Sequence, residues 1–265
     1  MRRRVDPAGG MNAALGRMNE ASDENYPDVP SIIAAIRLVA ADFEGRSTYQ
    51  VTGKGGRLFA FFPTSITDNI PPLHPDVSRA ICLLSRLHLE HYRAATVGVG
   101  EEDRGAMIIS DLLLSYNLPR TLARWTPTGA PGEVQVRFSN EYIQEGDTRI
   151  FLNGVRPHDR VLIVDDLVST GGTLVALIEA VRMTGATILE IFTIGEKSEN
   201  GGREYIRRKT GFDIKTMLET SLEWRDGAYY SKLVRFHLGA LPMALFEEVA
   251  AAFPAGFCRL GSGGG

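Results

Sequence analysis

Three observations predict an α/β fold in which a parallel sheet is flanked by helices. Short apolar runs at 95–99, 160–164, 188–194 and 214–218 read as buried strands. Amphipathic stretches at 106–116, 173–183 and 203–209 fall between them and read as helices. Glycine-bearing turns follow two of the strands and open the next helix, as in sheets whose ligands sit outside the carboxyl ends of the strands.

Residues 1–30 are rich in Gly, Asn, Asp and Pro and are expected to form a polar tail. Ser31 is expected to cap a helix whose apolar face carries Ile32, Ile33, Ile36, Val39 and Phe43. Residues 49–51 and 58–62 flank Gly53, Gly55 and Gly56 and read as a hairpin. A helix is expected over 76–92, and a short strand over 121–125. The long polar stretch 126–148 is expected to be loop, and 240–253 an apolar packing or interface helix. The domain expectation is a tail to residue 30 and a main domain over 31–240. That domain includes a small hood at about 45–75 and a lid at about 126–150. Residues 241–265 follow as a helix and flexible end.

A net charge of −3 gives no global basic field for nucleic acid. Cys82 and Cys258, two cysteines far apart in sequence, show no metal-ligand spacing and no disulfide framework. No signal-peptide pattern is visible, and no apolar run approaches the ~18 residues of a membrane span. The expectation is a soluble, cytoplasmic protein with no membrane or nucleic-acid partner.

The strongest signal is the segment 161–173, Val-Leu-Ile-Val-Asp-Asp-Leu-Val-Ser-Thr-Gly-Gly-Thr. Four apolar residues make a buried strand, and two carboxylates follow. Ser169, Thr170, Gly171, Gly172 and Thr173 then open a helix. A helix start offers unpaired N–H groups and the positive end of the dipole, so it suits a phosphate. Glycines let the backbone approach the anion. Asp165 and Asp166 would repel that phosphate; they suit sugar hydroxyls or hydrated magnesium beside it. No Lys follows the glycines, so this is not a Walker P-loop, and the dinucleotide Gly-x-Gly-x-x-Gly spacing is absent. A second glycine turn, 98–105, carries Glu102, Asp103 and Arg104 after another strand. Arg can fork to diphosphate oxygens there.

The segment 161–173 resembles the 5-phosphoribosyl 1-diphosphate (PRPP) motif of the type I phosphoribosyltransferases. The resemblance spans about residues 57–220. It implies that Asp165 and Asp166 contact the ribose hydroxyls and Mg2+, with Asp165 also contributing to catalysis. It further implies that Val168, Ser169, Thr170, Gly171, Gly172 and Thr173 hold the 5-phosphate. Glu102-Asp103-Arg104-Gly105 resembles the Glu-Ala-Arg-Gly pyrophosphate loop of the adenine enzymes, matching at Glu102, Arg104 and Gly105 with Asp103 in place of Ala. The resemblance implies pyrophosphate contacts at Glu102, Asp103 and Arg104, with Arg124 as a further ligand. Those enzymes often have Arg-Lys where this chain has Arg124-Trp125, so the second cation is missing. Glu141-Tyr142 matches a Glu-Tyr pair in the lid of the adenine enzymes, which makes Glu141 the candidate catalytic carboxylate. Residues 61–72, with Ile66, Thr67 and Asp68 as base contacts, resemble the hood of the adenine and archaeal hypoxanthine enzymes. The archaeal group is also similar at 152–155, at Glu196-Lys197 and at 211–216. Ser169 stands where human-type hypoxanthine-guanine enzymes carry an acidic base, so a general base, if a protein group acts as one at all, must come from elsewhere.

The resemblance implies transfer of 5-phosphoribose from PRPP to a purine-type base, with release of pyrophosphate, in a homodimer. Two alternatives stay open on sequence: a non-catalytic PRPP-sensing regulator, and the same reaction on a modified base such as a deazapurine.

Overall fold

In a computed structural model, the described residues are 26–53, 56, 58–138, 148–239, 241–254 and 257–261. Helix α1 (Val29–Phe43) is capped by Asp28, whose Oδ1 accepts from Ser31 N at 2.8 Å. The cap therefore lies three residues before the expected Ser31, and Pro30 occupies the first turn, where its missing N–H costs nothing. The hairpin forms as expected from β1 (Tyr49–Thr52) and β2 (Leu58–Phe61) in antiparallel register.

Helix α2 (Pro75–Ser85) ends well before the expected residue 92. The chain tightens there, with Leu87 N donating to Leu84 O and His88 N to Ser85 O. Leu87 and Leu89 stay buried, so the apolar rhythm continues although the helix does not.

The main sheet has seven strands in the order β11-β10-β9-β8-β7-β3-β4. Its members are β3 (Val97–Glu101), β4 (Arg120–Ala123), β7 (Arg160–Val168), β8 (Thr187–Lys197), β9 (Lys215–Arg225), β10 (Ala228–His237) and β11 (Arg259–Gly261). β4, β3, β7, β8 and β9 run parallel, as expected. The sheet is mixed because β10 pairs antiparallel with β9, and β11 then runs parallel to β10.

Helices cover both faces. Along β7, Leu162 and Val164 join the core built with α1, α2 and α3 (Ala106–Ser115). Val161 and Ile163 join the opposite core, with α4 (Gly172–Met183) and Ile206 of α5 (Gly202–Thr210). This two-residue alternation sends successive side chains into separate layers, as a sheet buried on both faces requires. Helix α6 (Met243–Ala251) packs on the α1 side, and its Val249 is fully buried.

Part of the stretch expected as polar loop is strand. β5 (Val134–Phe138) pairs antiparallel with β6 (Thr148–Leu152), and Val134, Val136 and Phe138 pack on the α4 core. No helix among the described residues is long and apolar enough to cross a membrane.

Candidate active site

Parallel neighbours bring their carboxyl ends to one edge, so the ends of β3, β7 and β8 converge on one cavity. Its volume is about 600 Å³. The floor is Asp165, Asp166 and residues 167–174 at the β7–α4 junction; the walls are Glu101, Trp125 and Lys197; the roof is the hood, with Phe61, Phe62, Thr67 and Asp68.

Two helices start at this cavity with glycine at the cap. Gly171 (φ 82°) precedes α4, and Gly105 (φ 74°) precedes α3. Neither residue has a side chain to accept from the first-turn N–H groups, so both ends present donors and a positive dipole end to an anion. Every residue of the expected phosphate loop, Val168 through Thr173, lines the cavity.

The glycines are also demanded by packing. A Cβ on Gly105 would strike the Asp166 carboxylate. A Cβ on Gly202 would overlap the Ser169 carbonyl oxygen, which is backbone and has little room to retreat. We expect Gly202→Ala to cost about 1–3 kcal/mol of stability and to weaken phosphate binding. Chemical denaturation and a phosphate-competition assay check both parts; an unchanged variant contradicts this packing role.

Asp165 and Asp166 are buried and lie within β7, which continues four residues past the expected strand end. Asp165 Oδ1 accepts from Asp166 N at 3.0 Å, and Asp166 Oδ1 accepts from Leu167 N. Asp166 Oδ2 is buried without a hydrogen-bond partner among the described residues. Burial lifts Asp165 from 3.8 to about 6; burial and then repulsion from Asp165 raise Asp166 further. Glu101 ends β3 beside them. It accepts from the Trp125 indole N–H and from Asp103 N, and burial followed by repulsion from Asp165 lifts it from 4.5 to about 8.

These acids hold protons in the folded chain that they would release on unfolding. Their stabilising contribution is complete below the ordinary carboxylate range and is lost as pH rises through their folded values. Glu101→Gln keeps an acceptor for Trp125 and removes one such proton. Relative to the unsubstituted chain, this variant should gain stability as pH rises from 4.5 to about 8. The slope should reach at most about 1.4 kcal/mol per pH unit. Denaturant titrations at several pH values measure this difference, from which the opposing contribution of buried His88 cancels.

Opposite the acids stand two cations. Arg104 pairs with Asp68 at 3.2 Å and lies over the Phe61 ring at 4.9 Å. Lys197 is only 4% exposed, and its Nζ lies 4.6 Å from the Phe61 ring centre and 4.9 Å from that of Phe62. Burial pulls Lys197 down from 10.5 to about 8.

The other expected site residues divide. Asp103, Arg104, Thr67 and Asp68 line the cavity. Glu102 and Arg124 pair with each other at 3.5 Å and are not among the lining residues; Glu102 also accepts from Trp125 N. Ile66 is buried in the core behind its two neighbours. Glu141 and Tyr142 lie outside the described residues. Glu101, Trp125 and Lys197 are cavity residues to which the sequence reading gave no binding role.

The phosphoribosyl transferase domain family matches residues 122–223. The hypoxanthine/guanine phosphoribosyltransferase of Methanocaldococcus jannaschii is 31% identical over 161 residues, covering 61% of this chain and 85% of that protein. This chain belongs to the phosphoribosyltransferase family. The enzyme of the same name from Methanocaldococcus infernus is 33% identical, with the same coverage. Among solved structures, adenine phosphoribosyltransferase from Thermoanaerobacter pseudethanolicus shares the fold, with a TM-score of 0.53 at 19% identity, covering 65% of this chain and 95% of its own. The Giardia lamblia adenine enzyme complexed with 9-deazaadenine aligns with a TM-score of 0.52 at 25% identity, covering 67% and 94%. The cavity where β3, β7 and β8 end is therefore the candidate active site of this phosphoribosyltransferase.

Proposed function

We propose that the enzyme transfers 5-phosphoribose from PRPP to a 6-oxopurine, hypoxanthine or guanine, releasing pyrophosphate. The observation that carries the choice of base is Lys197. A buried ammonium can only donate hydrogen bonds. It sits beside two aromatic rings suited to stack on a planar base. A 6-oxo group accepts from it, whereas the 6-amino group of adenine offers it another donor. The two archaeal relatives are named for hypoxanthine and guanine, which supports the same reading.

The remaining groups fit the other parts of PRPP. The N–H groups at the start of α4 receive the 5-phosphate, with Ser169, Thr170 and Thr173 adding hydroxyls. Arg104, released from Asp68, faces the diphosphate beside the α3 start. Asp165 and Asp166 meet the ribose hydroxyls. The reaction breaks the C1–oxygen bond to diphosphate and forms the bond from C1 to the base nitrogen, which loses its proton. The protein contributes by orienting the two reactants and excluding water from the developing positive charge.

Magnesium fits this site. Asp165 and Asp166 both line the cavity, and Asp166 Oδ2 is buried without a hydrogen-bond partner among the described residues. The described residues include no cluster of three or more His, Cys, Asp or Glu able to cage a metal. That donor set suits a cation held by one or two carboxylates, its own waters and substrate oxygens. Bound there, Mg2+ would neutralise the departing diphosphate.

The test is pyrophosphate release from PRPP and Mg2+ with hypoxanthine, guanine, xanthine or adenine. Turnover is expected with hypoxanthine and guanine. Preference for adenine, or no release with any purine, contradicts the proposal.

A further inference from the structure

We infer that Asn200 is a positioning residue for the sugar 5-phosphate, acting through the Ser169 hydroxyl; the inference rests on the phosphoribosyl reading above. Asn200 Nδ2 donates to Ser169 Oγ at 2.7 Å, from outside the phosphate loop. Asn200 ends the 3-10 turn Ser198–Asn200, which follows β8 directly.

The turn is anchored on both sides. Ser198 Oγ donates to Thr220 O of β9 at 3.1 Å. Beyond it, the backbone takes a left-handed step at Gly201 (φ 65°), and Gly202 packs directly on the Ser169 carbonyl. Gly171 returns the contact: a Cβ there would lie 2.8 Å from Gly202 O. The loop that receives the phosphate thus lies against a second turn that itself begins at Lys197.

The chemistry of the contact sets its direction. An amide NH2 group is a donor only, so Asn200 takes up a lone pair of Ser169 Oγ. The hydroxyl is thereby set to donate its own proton, which is what a phosphate oxygen accepts. Asn200 fixes the position and the polarity of a loop donor without touching the phosphate.

The test uses the full enzyme with Asn200→Ala, Asn200→Asp, Ser169→Ala and the Asn200→Ala/Ser169→Ala double variant. Steady-state kinetics vary PRPP, and calorimetry measures binding of ribose 5-phosphate. Asn200→Ala is expected to raise KM for PRPP about tenfold with kcat within about twofold, and to weaken ribose 5-phosphate in parallel. Asn200→Asp, of equal size but an acceptor with negative charge, is expected to raise KM further. In the Ser169→Ala background, Asn200→Ala should add less than about twofold. Three results overturn the inference: additive effects in the double variant, equal behaviour of the Ala and Asp variants, or an unchanged KM. If the unsubstituted enzyme binds ribose 5-phosphate and Asn200→Ala binds it equally well, the positioning role alone falls. If the unsubstituted enzyme binds neither ribose 5-phosphate nor PRPP, the phosphoribosyl reading falls and takes this inference with it.

Discussion

Replacing Asp165 and Asp166 together by asparagine should lower turnover by at least about 10³-fold while leaving a folded chain that is more stable than the parent at pH 8. The two effects have one cause. Both carboxylates are buried; burial raises the proton affinity of each, and repulsion from Asp165 adds to that of Asp166. Without ligand, the folded chain bears the cost of bringing these charges out of water. Asparagine removes that cost but keeps an oxygen able to accept from Asp166 N and Leu167 N. The gain should be on the order of 1 kcal/mol or more at pH 8, shrinking toward pH 5 as the parent's acids take up protons. The loss of turnover follows because an amide cannot balance a divalent cation or accept from two ribose hydroxyls as a carboxylate does. Steady-state pyrophosphate release and thermal unfolding at the two pH values test both halves. Parental turnover, or a variant that no longer folds, contradicts the assignment.

The second large effect concerns the base. Lys197→Met should reduce kcat/KM for hypoxanthine and guanine by about 10²-fold and leave the low activity with adenine unchanged. Methionine is unbranched like lysine and only one atom shorter, and it can keep contact with Phe61 and Phe62, since thioethers pack well against rings. Only the donor and the charge are lost. A 6-oxo group would then be buried opposite a methyl group and pay its own desolvation. The comparison between bases carries the result, because a general loss of packing would lower all of them alike. Equal losses for guanine and adenine would remove Lys197 from base recognition.

Much of this site was legible in the residues 161–173 because several physical demands coincide there. A buried strand, two acids, hydroxyls and a glycine-opened helix have few joint explanations, and all the expected loop residues line the cavity. The turn 98–105 was legible for the same reason, although Glu102 turned out to pair with Arg124 beside the cavity. Lys197 was harder to assign. The apolar run leading to it ends at residue 194, whereas β8 runs on through Lys197. Glycine, glutamate and lysine at a strand end look like solvent-exposed residues when read locally. Only the parallel register with β7, which sets Val168 opposite Glu196, brings Lys197 to the cavity.

The fold shows the same division between local and long-range information. The parallel layers follow from local periodicity. β5 carried a readable alternation, Val134, Val136 and Phe138 between exposed Gln135 and Arg137, masked by the polar sequence around it. The end of α2 carried no such signal, because Leu87 and Leu89 fill the core from a turn as well as they would from a helix. The antiparallel β10 depends on pairing with β9, a contact that a single-residue pattern does not encode.

The most direct measurement is a crystal structure of the enzyme with a purine nucleoside 5-monophosphate, guanosine monophosphate being the ligand of choice. The account predicts phosphate oxygens within hydrogen-bonding distance of the backbone N–H groups between Val168 and Thr173, ribose hydroxyls at Asp165 and Asp166, and the 6-oxo group at Lys197 Nζ. A nucleotide bound elsewhere, with the start of α4 left to solvent, would contradict it.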